Sequence, residues 1–225
     1  MKAAAVTEFP AYWDEACLHL MKKDRVMRKL IPQFGDARLV TRGDAFVTLA
    51  RSIVGQQISV KAAQSVWDRF AALSRRITPN SVLKMNVDQM RACGLSARKV
   101  EYMVDLALHF QDGHLRFKQW PDMGDEEIID ELVAVRGIGR WTAEMFLIFY
   151  MMRPDVFPLG DLGLQKAMSL HYNRGRPLAP RKIASLSALW QPWRSVATWY
   201  MWRSLDPNRK STRLNSSHSQ QSRMP

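Results

Sequence analysis

The sequence predicts an all-α protein of two helical lobes with a cleft between them. Three observations carry that expectation. Apolar residues recur at helical spacing along nearly the whole chain, strand-like alternation is absent, and several apolar runs begin at residues suited to capping a helix. At 225 residues the chain has ample length for a buried core, and a hydrophobic content of 47% excludes a disordered protein.

The elements follow in order. Residues 12–22 place Trp13, Ala16, Cys17, Leu20 and Met21 on one face, and Asp44 stands as N-cap for 45–54. Residues 59–73 turn Val60, Ala63, Val66, Trp67 and Phe70 inward, and Ser96 caps a helix reaching 110. Residues 125–135 bury Ile128, Ile129, Leu132 and Val135. They leave Asp125, Glu126, Glu127 and Glu131 in water, with the early acids at the positive end of the helix. Residues 141–151 are apolar nearly all round and are expected to form the central buried helix. Helices over 161–172, 180–189 and 193–205 complete the set. The tail 210–225 is polar and without periodicity, so it is expected to be disordered. It resembles translated sequencing-adapter or vector read-through, and function is assigned to a single domain over 1–209.

The formal charge is +12, of which the last twenty residues carry +3, leaving about +9 on the folded part. That balance favours a polyanionic partner, although an ordinary basic protein has the same signature. Two cysteines, Cys17 and Cys93, exclude a disulfide framework and a four-cysteine cluster within the chain. The five histidines form no metal-ligand spacing, so no metal held by side chains is expected. The N-terminus lacks the apolar core of a signal peptide, and the longest apolar run, 145–152, is too short to cross a bilayer. No membrane partner is expected.

The most informative stretch is LVAVRGIGRWT, residues 132–142. It reads as helix, glycine hairpin, helix, with the hairpin spanning 132–145. Gly137 and Gly139 are read as permitting positive φ and close approach of another backbone. Peptide N–H groups at a turn that opens a helix make an anion site, and Arg136 and Arg140 flank it with charge. The pattern suits a nucleic-acid backbone held without reading bases. About twenty residues on stands a lone acid, Asp161, in VFPLGDLGLQ. By local sequence alone Asp161 is equally a helix cap.

Taken together, IVGQQIS (53–59), GLSARKVEYMVDLA (94–107), VRGIGRWTAEM (135–145), the Asp161 segment and PWRSVATWYMWR (192–203) resemble the helix-hairpin-helix (HhH-GPD) DNA glycosylases, in their 3-methyladenine glycosylase II branch. The resemblance runs from about residue 44 to residue 207 in the family's order. It implies a monofunctional base-excision repair enzyme that hydrolyses the N-glycosidic bond of alkylated purines, such as 3-methyladenine and 7-methylguanine, in duplex DNA. Asp161 matches the catalytic aspartate. Positive charge develops on the deoxyribose as the bond breaks, and a nearby carboxylate stabilises it. An alkylated purine is already a good leaving group, so no second acid is needed. A pocket of aromatics favours such electron-poor rings. Trp141 and Trp202 match pocket tryptophans, with Met145 and Trp199, and beside them Trp193 and Tyr200, as neighbouring candidates. Most of the eight tryptophans are nonetheless expected in the core.

Relatives that cleave the strand carry a lysine where this chain has Trp141, so no Schiff base and no lyase step are expected. The nucleotide must be flipped out of the stack, and the position of the side chain that fills the hole matches Gln57, with Gln56 beside it. From the residues alone both amides equally end a helix in solvent. Arg136, Gly137, Ile138, Gly139, Arg140 and Thr142 match the DNA-binding hairpin. Lys61, Arg98, Lys99 and Arg194 are candidates for phosphate contacts or for a solvated face. The resemblance implies no required cofactor and leaves open a monovalent cation, Na+ or K+, at the hairpin carbonyls. It also implies damaged double-stranded DNA as partner, a monomer, and a bacterial cytoplasmic location. Two alternatives stay open: a non-catalytic DNA-binding module on the same scaffold, and a glycosylase for deaminated or oxidised bases.

Overall fold

The computed structural model describes residues 9–40 and 43–206. The expectation for the tail 210–225 lies outside the described residues. In chain order the helices are α1 (Trp13–Lys23), α2 (Arg25–Leu30), α3 (Ala45–Gly55), α4 (Val60–Ala71), α5 (Pro79–Leu83), α6 (Val87–Ala92), α7 (Ala97–Gln111), α8 (Asp125–Val133), α9 (Arg140–Phe149), α10 (Leu162–Tyr172), α11 (Pro180–Trp190) and α12 (Arg194–Arg203). No strand occurs among the described residues. The all-α expectation holds.

Side-chain caps set most of the helix starts. Asp44 accepts from the amide of Val47 at 2.9 Å, Ser59 from Ala62 at 3.3 Å and Ser96 from Lys99 at 3.3 Å. Removing one such cap costs about 1 kcal/mol. The short helices α2, α5 and α6 lie where no periodicity was read. Each opens on a capping side chain: Asp24, Thr78 (in a capping box with Ser81) and Asn86.

The described residues fall into two compact units, 9–40 with 147–206, and 43–146. In the first, α1 packs on α2, α11 and α12, and α10 packs on α12. Trp13, Leu20, Met27, Trp190 and Tyr200 form its core. The buried Asp24 ties three elements together. Its Oδ2 accepts from the Tyr172 hydroxyl at 2.6 Å and the Trp190 indole at 2.9 Å, while Oδ1 caps α2. Burial, reinforced by the Asp24 carboxylate, pushes the Tyr172 hydroxyl far above its ordinary pKa, so it stays a donor.

In the second unit α3 packs on α4 and α7, and α5 and α6 pack on α7. Leu49, Ile53, Phe70, Met90, Met103 and Leu106 are buried between them. The sequence places Glu131 in water, and the structure corrects this. Its side chain is 11% exposed and accepts from the Trp120 indole at 2.7 Å and the Arg116 amide at 3.1 Å, with the Arg116 guanidinium on its other oxygen. The 112–124 connection returns along α8 and covers the acid. Within α9, residues 143–148 are all buried, as an all-round apolar helix requires.

No helix among the described residues is long and apolar enough to cross a membrane, and none of their His, Cys, Asp and Glu side chains cluster as a metal site.

Candidate active site and nucleic-acid interface

The segment leading to Asp161 is irregular and is fastened to the start of α12. The Arg194 guanidinium grips Asp155 with both ends, Nε to Oδ1 at 2.7 Å and Nη2 to Oδ2 at 2.9 Å. The Ser195 amide donates to the Pro154 carbonyl at 3.0 Å, and the Ser195 hydroxyl accepts from the Val156 amide at 2.9 Å. A turn closes where the Asp161 amide donates to the Pro158 carbonyl at 3.0 Å. Asp161 then caps α10, its Oδ1 accepting from the Leu164 amide at 2.5 Å. The same oxygen accepts from the Trp202 indole Nε1 at 2.7 Å. Trp202 lies about two helical turns beyond Ser195 on α12, so one helix holds both the incoming segment and the carboxylate. Its ring is stacked on Phe149, 5.6 Å between centroids and 16° between planes.

Gly163 stands beside the acid and was not read from the sequence as a site residue. A Cβ there would lie 3.1 Å from Asp161 Oδ1 and 3.5 Å from Trp202 Cδ1, so its absence lets the indole reach the acid. The signal was a glycine in the first turn of a helix, where helix propensity disfavours it. Leu159 and Leu162, on either side of Asp161, are both exposed.

In the other unit Trp141 and Met145 share the wall of a shallow concavity. Thr142 and Phe146 of α9 line it with them, and Thr48, Leu49 and Ser52 of α3 face them. Thr48 and Ser52 were not read from the sequence as site residues. They stand at i and i+4 on α3, on one face. Their hydroxyls donate to the α3 backbone, to the Asp44 carbonyl at 2.9 Å and the Leu49 carbonyl at 2.7 Å.

Trp199 leaves the base-pocket set. It is 3% exposed and walled edge-on by Trp13 at 5.2 Å and Tyr200 at 4.9 Å. Tyr200 is equally buried, its hydroxyl accepting from the Trp13 indole at 3.3 Å. Trp193 is stacked on Tyr12 at 5.2 Å. Trp199 and Tyr200 serve the core of their unit, and Trp193 is half-buried at its edge.

The hairpin turn closes with the Ile138 amide donating to the Val135 carbonyl at 3.1 Å, and Asp105 of α7 braces it by accepting from the Arg136 amide at 2.8 Å. The Ile138 side chain is buried and anchors the apex. The two glycines differ: of the pair that permits positive φ, only Gly137 uses it. Gly137 has φ +84°, and a Cβ there would strike the Tyr102 ring. Gly139 is outside the left-handed region, and a Cβ there would meet nothing within 4 Å. The fold itself does not require a glycine at 139. Among the described residues the amides of Gly137 and Gly139 donate to no protein acceptor.

The flanking arginines are already engaged. Arg140 forks onto Glu126 at 2.9 and 2.6 Å and reaches Glu144 at 3.2 Å. Its hydrogen bonds to Glu126 raise the guanidinium's pKa, and the same bonds hold the Glu126 carboxyl below the ordinary range. Arg136 Nη2 stands 3.5 Å from Glu101.

In the loop after α3, Gln57 is exposed with φ +60°, in the left-handed region. Gln56 is not a solvated amide: its Nε2 donates to the Gly137 carbonyl at 2.8 Å. Lys99 is not on a solvated face either. Its ammonium donates to the carbonyls of Val54 at 2.8 Å and Gln56 at 2.6 Å. Arg194 is committed to Asp155, as above, while Lys61 and Arg98 are exposed.

Comparison with known proteins places this arrangement. Residues 50–195 match the family model described as HhH-GPD superfamily base excision DNA repair protein. The chain is 33% identical over 198 residues to DNA-3-methyladenine glycosylase 1 of Schizosaccharomyces pombe, covering 84% of this chain and 86% of that one. It superimposes on a DNA-3-methyladenine glycosidase of Bacillus halodurans with a TM-score of 0.80 at 30% identity, over 88% of this chain and 92% of the other. A 3-methyladenine DNA glycosylase of Schizosaccharomyces pombe in complex with abasic DNA gives 0.72 at 29% identity, over 84% and 96% of the two chains. With its hairpin, its capped acid and the helix that holds it, this chain belongs to the HhH-GPD superfamily of base excision DNA repair proteins.

Proposed function

We propose that this protein is a DNA glycosylase that hydrolyses the N-glycosidic bond of alkylated purines, 3-methyladenine and 7-methylguanine among them. The observation that carries the reading is the fixed carboxylate of Asp161, held by the Trp202 indole and the Leu164 amide on one oxygen. Orientation matters because the transition state gathers positive charge on the deoxyribose, and a preorganised anion stabilises it without reorganising. The same carboxylate positions the water that completes hydrolysis. A group in this role is worth about 3–4 kcal/mol of barrier when removed alone.

The remaining residues supply binding. The Gly137 and Gly139 amides, opening α9, take a backbone phosphate. Trp141, half-buried, meets the alkylated base, whose cationic ring favours an aromatic face, and the buried Met145 belongs to the same wall. The hydroxyls of Thr48 and Ser52 opposite them are spent on the α3 backbone, so a broad spectrum of alkyl bases is expected. Gln57 enters the stack when the nucleotide leaves it. Trp141 has no amine, so the reaction ends at an abasic site with the strand intact. A cation at the hairpin is not needed for any of these steps, and the Gly137 carbonyl already accepts the Gln56 amide. The protein acts on duplex DNA as a monomer in the bacterial cytoplasm.

The test is a lesion panel scored for free base, with strand breaks read separately. Release of 3-methyladenine and 7-methylguanine, with breaks appearing only after alkali, supports the reading. Salt-sensitive binding with no base released points instead to a DNA-binding module. Release confined to deaminated or oxidised bases changes the substrate class.

A further inference from the structure

Gln57 is one of three non-glycine residues with positive φ among the described residues, and it sits at an exposed loop tip. A strained, exposed tip persists only where its surroundings over-determine it. Here two polar ties do so. Lys99 reaches from the first turn of α7 to the Val54 and Gln56 carbonyls, which the end of α3 leaves without helical partners. Gln56 in turn donates to the carbonyl of Gly137 in the hairpin.

We propose, resting on the glycosylase reading, that Lys99 is a positioning residue. Through the Val54 and Gln56 carbonyls and the Gln56 tie to Gly137, it sets the Gln57 tip in register with the phosphate-holding hairpin before DNA arrives. The hairpin fixes where the DNA backbone lies, and the brace fixes where the side chain that fills the vacated stack stands relative to it. Without the brace the tip must be ordered during flipping, and that cost falls on the rate. Burial pushes the ammonium of Lys99 down from its ordinary pKa, as expected of an amine turned inward to carbonyls and away from phosphate.

The experiment uses the full chain and two duplexes. One carries a single 7-methylguanine. The other carries a tetrahydrofuran abasic analogue with 2-aminopurine opposite, whose fluorescence reports insertion into the stack and needs no chemistry. Lys99→Met is expected to slow base release at saturating enzyme by about ten- to a hundredfold, the order that a displacement of an ångström costs. It is also expected to reduce the fluorescence change, while affinity for undamaged duplex and its salt slope stay unchanged. Lys99→Arg is expected to restore much of both. In a Gln57→Ala background Lys99→Met is expected to have no further effect.

Lys99→Gln repeats the comparison if Lys99→Met does not fold. A salt slope reduced by about one marks a phosphate contact and overturns the proposal. So does a loss that multiplies fully with that of Gln57→Ala, or an unchanged fluorescence response. If the wild-type protein releases no base, the glycosylase reading fails, and the fluorescence arm still decides the role of Lys99.

Discussion

Trp202 donates its indole N–H to Asp161 Oδ1 across 2.7 Å while its ring lies on Phe149, so one side chain sets the carboxylate's direction and is itself set by a second ring. Trp202→Phe keeps an aromatic ring and removes the N–H. Base release from alkylated DNA under single-turnover conditions is expected to fall about ten- to a hundredfold, because an imprecisely aimed anion stabilises the transition state less. Affinity for undamaged duplex is expected to stay the same. Unchanged release would show that the indole does not position the acid.

The two hairpin glycines separate folding from binding. Gly137→Ala puts a methyl group into the Tyr102 ring on a backbone with φ +84°, so its melting temperature is expected to fall. Gly139→Ala meets open space inside the protein, so its melting temperature is expected to hold while its affinity for DNA drops about tenfold or more. Thermal melts and a binding titration at fixed salt check both. Equal affinities for Gly139→Ala and the wild type would remove the hairpin backbone as the phosphate contact.

Glu131 makes stability depend on acid. Burial pushes its carboxyl up, but the hydrogen bonds from Trp120 and Arg116 together outweigh this and hold it below the ordinary range. A depressed folded pKa stabilises the protein above the unfolded value of about 4.3, and that contribution is lost as pH falls through the folded value. The wild-type melting temperature is therefore expected to drop on acidification from pH 5 toward pH 3. Glu131→Gln is expected to melt lower at neutral pH and to lose less over the acid range. Parallel pH profiles for the two proteins would contradict the assignment.

These side chains show how far the sequence reaches. Helix starts were legible at Asp44 and Ser96 because a cap is a local contact, and local contacts leave local signatures. The helices α2, α5 and α6 were not, since five or six residues make less than two turns and no face repeats. Asp161 was legible as a cap and, through the family pattern, as the acid. Its bond to Trp202 was not, because it joins residues far apart in the chain. On α12 the reading grouped Trp199 with Trp202. The helix is aromatic on several sides, and composition alone does not say which ring enters the core. Glu131 shows the reverse failure. An acid on a polar helix face reads as solvated until a connecting segment folds over it. Lys99 was misplaced for the same reason, because its acceptors are backbone carbonyls that carry no residue signature.

The central claim is that the charge of Asp161 does the chemistry, apart from its structural duty as cap of α10. Asn caps a helix about as well as Asp, whereas Ala does not and costs about 1 kcal/mol of stability. The most direct measurement is 7-methylguanine release by Asp161→Asn in single turnover, with the melting temperature and DNA affinity of the same protein in parallel. Release is expected to fall at least a hundredfold, about 3 kcal/mol of barrier, with melting temperature and affinity unchanged. Release at the wild-type rate by this folded, DNA-binding variant would contradict the claim.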